Sequence, residues 1–382
     1  MISMDLTREQ KKLVDLVREL AQEEIAPKAL ALDKKGDQAF DWSLVNLLAR
    51  HNLLCPTIPK EYGGLGLGHL TTALIIEELG AGCAGVAAVV AANLHAASPI
   101  MLAGTAAQKA AYLPLLTTPS PKLLAFALTE PQAGSDLLSI QTQAIPKGAD
   151  YLISGTKEYI LNASVASFFS VFTAAGPQRE QASIRAFIVP ADSPGLTVGP
   201  VLSKVGLRYA NTARVTFHRV RVTPDQVIGG DRAGSGYLLL TQTFDRGRAL
   251  VGAAGVGIAR SAYEMALEHA RNRQTFGKKI IQHQSVAFAL AEIATNIEMA
   301  RLMTWKACWL IDRDQDYTTA SSMAKLAATR VARDSADLAA DLVAAGGYMA
   351  GHPVDKLVRD ARGMATIEGT DNIQKLIIAS LL

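Results

Sequence analysis

An apolar run, Leu123 to Leu128, turns abruptly polar at Thr129-Glu-Pro-Gln-Ala-Gly-Ser-Asp136. Pro131 and Gly134 oblige the backbone to leave the strand, so the stretch reads as a strand delivering a loop. The hydroxyls of Thr129 and Ser135, with the free N–H groups of the loop, can hold a large polar cofactor against an apolar floor that includes Phe126 and Leu128. A second residue equipped for chemistry stands near the other end. Glu368 precedes Gly369, which permits close chain approach, and sits between two helical patterns, where a carboxylate can project into a cavity and act as a base. An exposed glutamate in a connecting loop is the plainer reading of the same residues.

Composition narrows the classes. At 382 residues, 49% hydrophobic and 19% charged, the chain has material for a large core or for two to three domains. A formal charge of +3 with no run of lysine or arginine argues against nucleic acid as a partner. Cys55, Cys83 and Cys308 form neither a CxxC pair nor an even framework, which points to a reducing compartment and no metal site. The N-terminus has no apolar signal core, so a cytoplasmic location is expected. From Leu79 to Gln108 no residue is charged, a length that could cross a bilayer; Asn93, His95, Ser98 and Pro99 argue instead for a helix buried in protein, with no membrane span. The glycine-rich stretch Pro59 to Gly68 does not match GxGxxG and reads as a tight connection, so a nicotinamide-binding Rossmann fold is disfavoured.

These residues need elements to carry them. Residues 5–28 read as an amphipathic helix with Thr7 and Gln10 at capping-box spacing and Pro27 at its end; further helical patterns cover 42–51, 71–78, 82–97 and 106–116. The middle third changes period, with short β-type runs at 151–154, 168–173, 184–189 and 213–222. Long helical patterns return over 235–272, 281–313, 317–344 and 354–364, with a last one from Asp371. The expectation is an α+β chain: an all-helical N-terminal domain over 1–121, a β-barrel or sandwich domain over 122–230, and a C-terminal four-helix bundle over 231–382.

Two motifs carry a family resemblance over nearly the whole chain. Leu128-Thr-Glu-Pro-Gln-Ala-Gly-Ser-Asp136 resembles the flavin-binding signature of the acyl-CoA dehydrogenases, and Arg359-Asp-Ala-Arg-Gly-Met-Ala-Thr-Ile-Glu-Gly-Thr370 resembles the segment that carries their catalytic base. The resemblance implies FAD as cofactor and Glu368 as the base. Some relatives put the base at the position of Gly247, and glycine cannot take a proton. It also implies flavin contacts from Phe126, Leu128, Thr129, Gly134, Ser135 and Thr370. Lys157 to Asn162 resembles the segment that sets an aromatic ring and a hydroxyl against the flavin; Tyr159 stands where Trp is usual, and Leu161 stands where Thr or Ser is usual.

Arg273-Gln-Thr-Phe-Gly277 resembles an element whose Arg273, Thr275 and Phe276 reach the flavin of a neighbouring subunit, and Gly346-Gly347 resembles a second shared-cofactor contact. A homotetramer, a dimer of dimers, follows from that. Arg248, with Asp245 beside it, resembles an arginine near the pantetheine of acyl-CoA, and Ser135 resembles a residue beside CoA. Ala91, Ala92 and His95 fall on the helix that lines the acyl pocket in relatives, with Ile367 and Gly369 flanking the base. For His95 a core role, satisfied by a backbone carbonyl, is expected over a contact with the acyl group. The implied reaction is α,β-dehydrogenation of an acyl-CoA thioester, with electrons leaving to an electron-transfer flavoprotein. The same fold leaves open a dehydrogenase of carrier-protein-bound acyl groups or a small oxidase using oxygen.

Overall fold

The computed structural model describes residues 5–174, 180–230 and 235–382. The N-terminal third is helical: α1 (Arg8–Glu19), α2 (Ala26–Asp33), α3 (Trp42–Arg50), α4 (His69–Gly82), α5 (Ala84–Ala103) and α6 (Ala106–Tyr112). Thr7 and Gln10 form the reciprocal capping box that their spacing predicts. Pro27 does not end the helix. A π-turn over Leu20–Ile25 resets the chain, and the proline enters the first turn of α2, where its missing N–H has no partner to lose.

α5 is uncharged and buried on nearly all sides. By length and composition it could cross a membrane, but 83% of its apolar window is buried inside the protein, so it is a core helix. Its Asn93 is satisfied from two directions: the side-chain amide donates to the Leu54 carbonyl, and its oxygen accepts from the Leu124 N–H at 2.8 Å. That second bond ties α5 to the strand that leads into the polar loop.

The middle third is one mixed sheet. Its strands are β1 (Leu123–Ala127), β2 (Gln143–Lys147), β3 (Asp150–Leu161), β4 (Ala166–Ala174), β5 (Ile184–Pro190), β6 (Leu196–Val201), β7 (Thr212–Val222) and β8 (Val227–Ile228). The order is β6-β7-β3-β2-β4-β5-β8, with β1 pairing parallel to β4. β4 explains why this sheet is apolar on both faces. Phe168 and Phe172 join the large helical core, while Phe169 and Val171 pack with Phe187, Val189 and Phe217 in a second core within the sheet. β3 carries register breaks at Ile153/Gly155 and Lys157/Ile160, and the second turns Tyr159 outward with a left-handed φ of 59°.

The C-terminal third holds α7 (Ser235–Asn272), the short pair β9 (Gln274–Thr275) and β10 (Lys278–Lys279), then α8 (Gln284–Ile311), α9 (Thr318–Val343), α10 (Pro353–Met364) and α11 (Asp371–Ser380). The sequence boundary at 230/231 abuts residues 231–234, which lie outside the described residues. α7 is the axis of the molecule, packed on α9, α8, α4 and α5. It crosses α4 at very short range because Gly257 leaves room for the Glu77 carbonyl and Gly80 leaves room for the Ala254 carbonyl. The same crossing buries Glu77 and Glu78, whose carboxylates are met by Arg18, Arg260 and Arg301 from α1, α7 and α8. Burial raises and the Arg260 and Arg18 guanidiniums lower the Glu78 pKa; the guanidiniums win, so Glu78 stays ionised.

Candidate active site

A cavity of about 640 Å³ opens where the three regions meet. Its lining comes from α5, the end of β1 with its loop, β3, the loop 204–207, the start of β7, α7, and the end of α10 with the turn into α11. The structure therefore collects Ala91, Ala92, His95, Phe126, Leu128, Thr129, Gly134, Ser135, Tyr159, Leu161, Arg248, Ile367, Glu368, Gly369 and Thr370 around one space. Phe244 and Val251 of α7 join them without having been singled out in the sequence.

The strand-end loop is held from behind by a buried ion pair. Glu130 accepts from the Lys157 ammonium at 2.8 Å and from the backbone N–H groups of Gln141 and Thr142, and Lys157 also donates to the Leu128 carbonyl. Burial pulls the Lys157 ammonium down to about 8, against the pull of Glu130. The Thr129 carbonyl accepts from the Glu158 N–H at 2.8 Å, which ties the loop to β3. The N–H groups of Leu128 and Thr129 donate to no acceptor among the described residues, and a Cβ at Gly134 would meet open space. Free donors, two hydroxyls and an apolar floor fit a flat, polar-edged cofactor such as a flavin.

Opposite this loop lies the base candidate. Glu368 occupies the turn between α10 and α11 with φ of 55°, followed by Gly369 at 98°. This left-handed pair is uncommon for a non-glycine residue and persists only when its surroundings enforce it. They do: Lys325 of α9, fully buried, donates to the carbonyls of Ala365 and Gly369 at 2.7 and 2.6 Å, and the Gln374 amide donates to those of Glu368 and Gly369. Burial pulls the Lys325 ammonium down to about 8, with Asp371 and Glu368 opposing. The Glu368 side chain is 7% exposed, and its Oε2 has no hydrogen-bond partner. A buried carboxylate oxygen without a donor is costly, so the exposed-loop reading is excluded.

His95 is not a core histidine paired with a carbonyl. Neither ring nitrogen makes a hydrogen bond, and Nδ1 instead lies 3.0 Å from Oε1 of Glu368. The carbonyls of its own helix are taken by helical bonds, which leaves the ring only what faces the cavity.

Asp245 does not reach the cavity. It pairs with Arg248 from beneath and accepts from the Thr318 hydroxyl at 2.8 Å, so its part is to orient the guanidinium that does line the space. This pair is buried, not a surface one: burial lowers the Arg248 pKa and raises that of Asp245. Arg273, Thr275, Phe276, Gly346 and Gly347 do not line the cavity either. Phe276 is 96% exposed at the β9–β10 turn, and Gly346-Gly347 closes α9. Lys325 and Glu130 escaped notice in the sequence because their partners lie far off along the chain; a lysine at a core-facing position of α9 was the available signal. No group of three or more metal-ligating residues occurs among the described residues.

Comparison with known proteins covers the whole chain. The models described as acyl-CoA dehydrogenase N-terminal, middle and C-terminal domains match residues 7–119, 125–220 and 234–382. A cyclohex-1-ene-1-carbonyl-CoA dehydrogenase of Geobacter metallireducens is 38% identical over 378 residues, spanning 99% of this chain and 98% of that one. The solved butyryl-CoA dehydrogenase of Megasphaera elsdenii superposes with a TM-score of 0.95 at 31% identity, covering 100% of this chain and 99% of that one. A solved FAD complex of PigA superposes with a TM-score of 0.93 at 28% identity, covering 100% and 99%.

Proposed function

The chain belongs to the acyl-CoA dehydrogenase family and is an FAD-dependent oxidoreductase, and from that premise we propose that it desaturates an acyl-CoA thioester between Cα and Cβ with Glu368 as the base. The observation that carries this reading is the buried Glu368 carboxylate, one oxygen unpaired, facing a cofactor-sized cavity whose opposite wall is the strand-end loop. FAD supplies the acceptor for the β-hydride. The protein does the rest. Phe126, Leu128, Thr129, Gly134 and Ser135, with Tyr159, Leu161 and Thr370, would hold the flavin in this cavity.

The Glu368 N–H donates to no acceptor among the described residues, so it is free to hold the thioester oxygen and make the α-proton more acidic. Glu368 Oε2 then accepts that proton, and the product is a trans-2-enoyl thioester. Arg248, oriented by Asp245, takes the polar part of the acyl-CoA beside Ser135, while Ala91, His95 and Ile367 bound the acyl group. Away from these groups the cavity lining is mostly apolar.

We also assign Arg273, Thr275, Phe276, Gly346 and Gly347 to the flavin of a neighbouring subunit in a homotetramer. Supporting this, the two turns that carry them expose Phe276 at 96% and Tyr348 at 87%, apolar surface that a partner would cover. The electron acceptor is an electron-transfer flavoprotein and the setting cytoplasmic. Anaerobic mixing of the yellow protein with butyryl-, octanoyl- and cyclohex-1-ene-1-carbonyl-CoA tests the substrate class by loss of flavin absorbance. Bleaching by at least one thioester is the expected result. A protein that binds FAD and is bleached only by carrier-protein thioesters, or that makes stoichiometric peroxide in air faster than it reduces the flavoprotein acceptor, would replace this reading.

A further inference from the structure

Glu368 is not alone in the cavity, and its neighbour has no other employment. His95 is 7% exposed on α5, clamped by the Phe126 ring at 4.3 Å and the Phe244 ring at 5.3 Å. Both ring nitrogens are fully enclosed without a hydrogen bond, and among the described residues the one charged atom that Nδ1 meets at short range is Oε1 of Glu368, 3.0 Å away. A buried imidazole left so is costly, so the fold gains nothing by keeping it there for packing alone. The approach depends on Gly247. A Cβ at that position would overlap both Glu368 carboxylate oxygens and His95 Nδ1, so glycine is what lets histidine and carboxylate share the space.

We propose that His95 is a positioning residue for Glu368, fixing Oε1 so that Oε2 is the oxygen presented to the substrate α-proton. The inference rests on Glu368 being the base. Of the two neutral tautomers, only the one protonated on Nδ1 turns an N–H towards the carboxylate; the other sets a lone pair against it. The remaining charged groups facing Glu368 are cationic and differently placed: Arg248 from α7, itself paired with Asp245, and Lys325 from α9, which is committed to two carbonyls. Neither occupies Oε1. Asp371, at the start of α11, is taken by Arg333. The contact between Nδ1 and Oε1 is short though not aligned as a hydrogen bond, so the restraint on Oε1 is the electrostatic pull of an N–H at 3.0 Å, and Oε2 stays free.

The test uses four FAD-loaded proteins: wild type, His95→Leu, His95→Asn and Glu368→Gln. Asparagine can place an amide N–H where Nδ1 stands; leucine keeps the bulk and removes the donor. With the three thioesters named above, His95→Leu is expected to slow the limiting rate of flavin bleaching about 10- to 100-fold, the scale of a misplaced catalytic group. The half-saturating concentration should change less than about threefold, since positioning acts on the step and not on binding. His95→Asn should recover most of the rate. A second readout needs no turnover: nitrogen-15 spectra of the histidine-labelled, FAD-loaded protein should place the His95 proton on Nδ1, with its signals moving in Glu368→Gln. A wild-type rate in His95→Leu, an equal loss in His95→Asn, or a proton on Nε2 overturns the proposal. Glu368→Gln separates the two layers: if it bleaches at the wild-type rate, or if no thioester bleaches the wild type, the assignment of the base fails, whereas a dead Glu368→Gln beside a normal His95→Leu removes only the role of His95.

Discussion

Lys325→Met separates two things that usually fail together, the fold and the placement of the base. The lysine is fully enclosed, and its ammonium holds the carbonyls of Ala365 and Gly369 on either side of Glu368. Removing it leaves the Ala365 carbonyl unpaired, at about 1–3 kcal/mol, and takes from the Gly369 carbonyl one of its two donors, the Gln374 amide remaining. Removing it also ends the burial of a charge. The ammonium falls from its usual 10.5 to about 8, chiefly through burial, and at 1.36 kcal/mol per pH unit that returns about 3 kcal/mol. The two effects are of the same size and opposite sign, so urea midpoints of variant and wild type should lie within about 1–2 kcal/mol of each other. The turn itself has no such compensation. Glu368 at φ of 55° and Gly369 at 98° lose their main restraint, with the Gln374 amide left to hold them. A carboxylate displaced by about 1 Å costs on the order of 10²-fold in rate. Stopped-flow bleaching beside urea titration measures both. Full activity in Lys325→Met, or an activity loss matched by a drop of many kcal/mol in stability, would refute the reasoning.

Two further predictions follow from the same buried charges. Lys157→Met leaves Glu130 buried without its cation, a change worth about 3–5 kcal/mol, and frees the Leu128 carbonyl, so FAD affinity measured by fluorescence titration should fall at least about tenfold. Unchanged affinity at unchanged stability would detach the pair from the cofactor loop. The pH dependence of stability has a definite sign: burial depresses Lys325 to about 8, so the folded protein releases this proton first while the unfolded chain keeps it to about 10.5. The cost of burying the charge is fully present below pH 8 and is relieved as pH rises towards 10.5. Relative to Lys325→Met, wild-type urea midpoints should therefore be level below pH 8 and gain above it; a gap independent of pH across that window contradicts the burial argument.

Much of this was legible in the chain because period and punctuation agree. α7 shows its 3.6-residue pattern over Ser235–Asn272 without a proline, and α8 to α11 are bounded by the breaks that the sequence marks. β2, β6 and β8 were not legible. β2 carries Pro146 and its last three residues are exposed, β6 is only partly buried, and β8 is two residues long, so none shows a buried alternation. The site divides in the same way. Residues adjacent in sequence, such as Thr129 and Ser135 or Glu368 and Gly369, announce themselves as a loop or turn with chemistry. His95 and Gly247 meet a carboxylate on another element, Lys325 meets two carbonyls there, and Gly247 matters for an atom it lacks; no local pattern encodes that.

The account stands on Glu368 as the proton acceptor. The direct measurement is anaerobic bleaching of FAD-loaded Glu368→Gln by a thioester that bleaches the wild type: the amide keeps the shape of the side chain and cannot take a proton. The variant should purify yellow, bind the thioester, and reduce its flavin at least about 10²-fold more slowly. Bleaching at the wild-type rate would mean that some other group removes the α-proton.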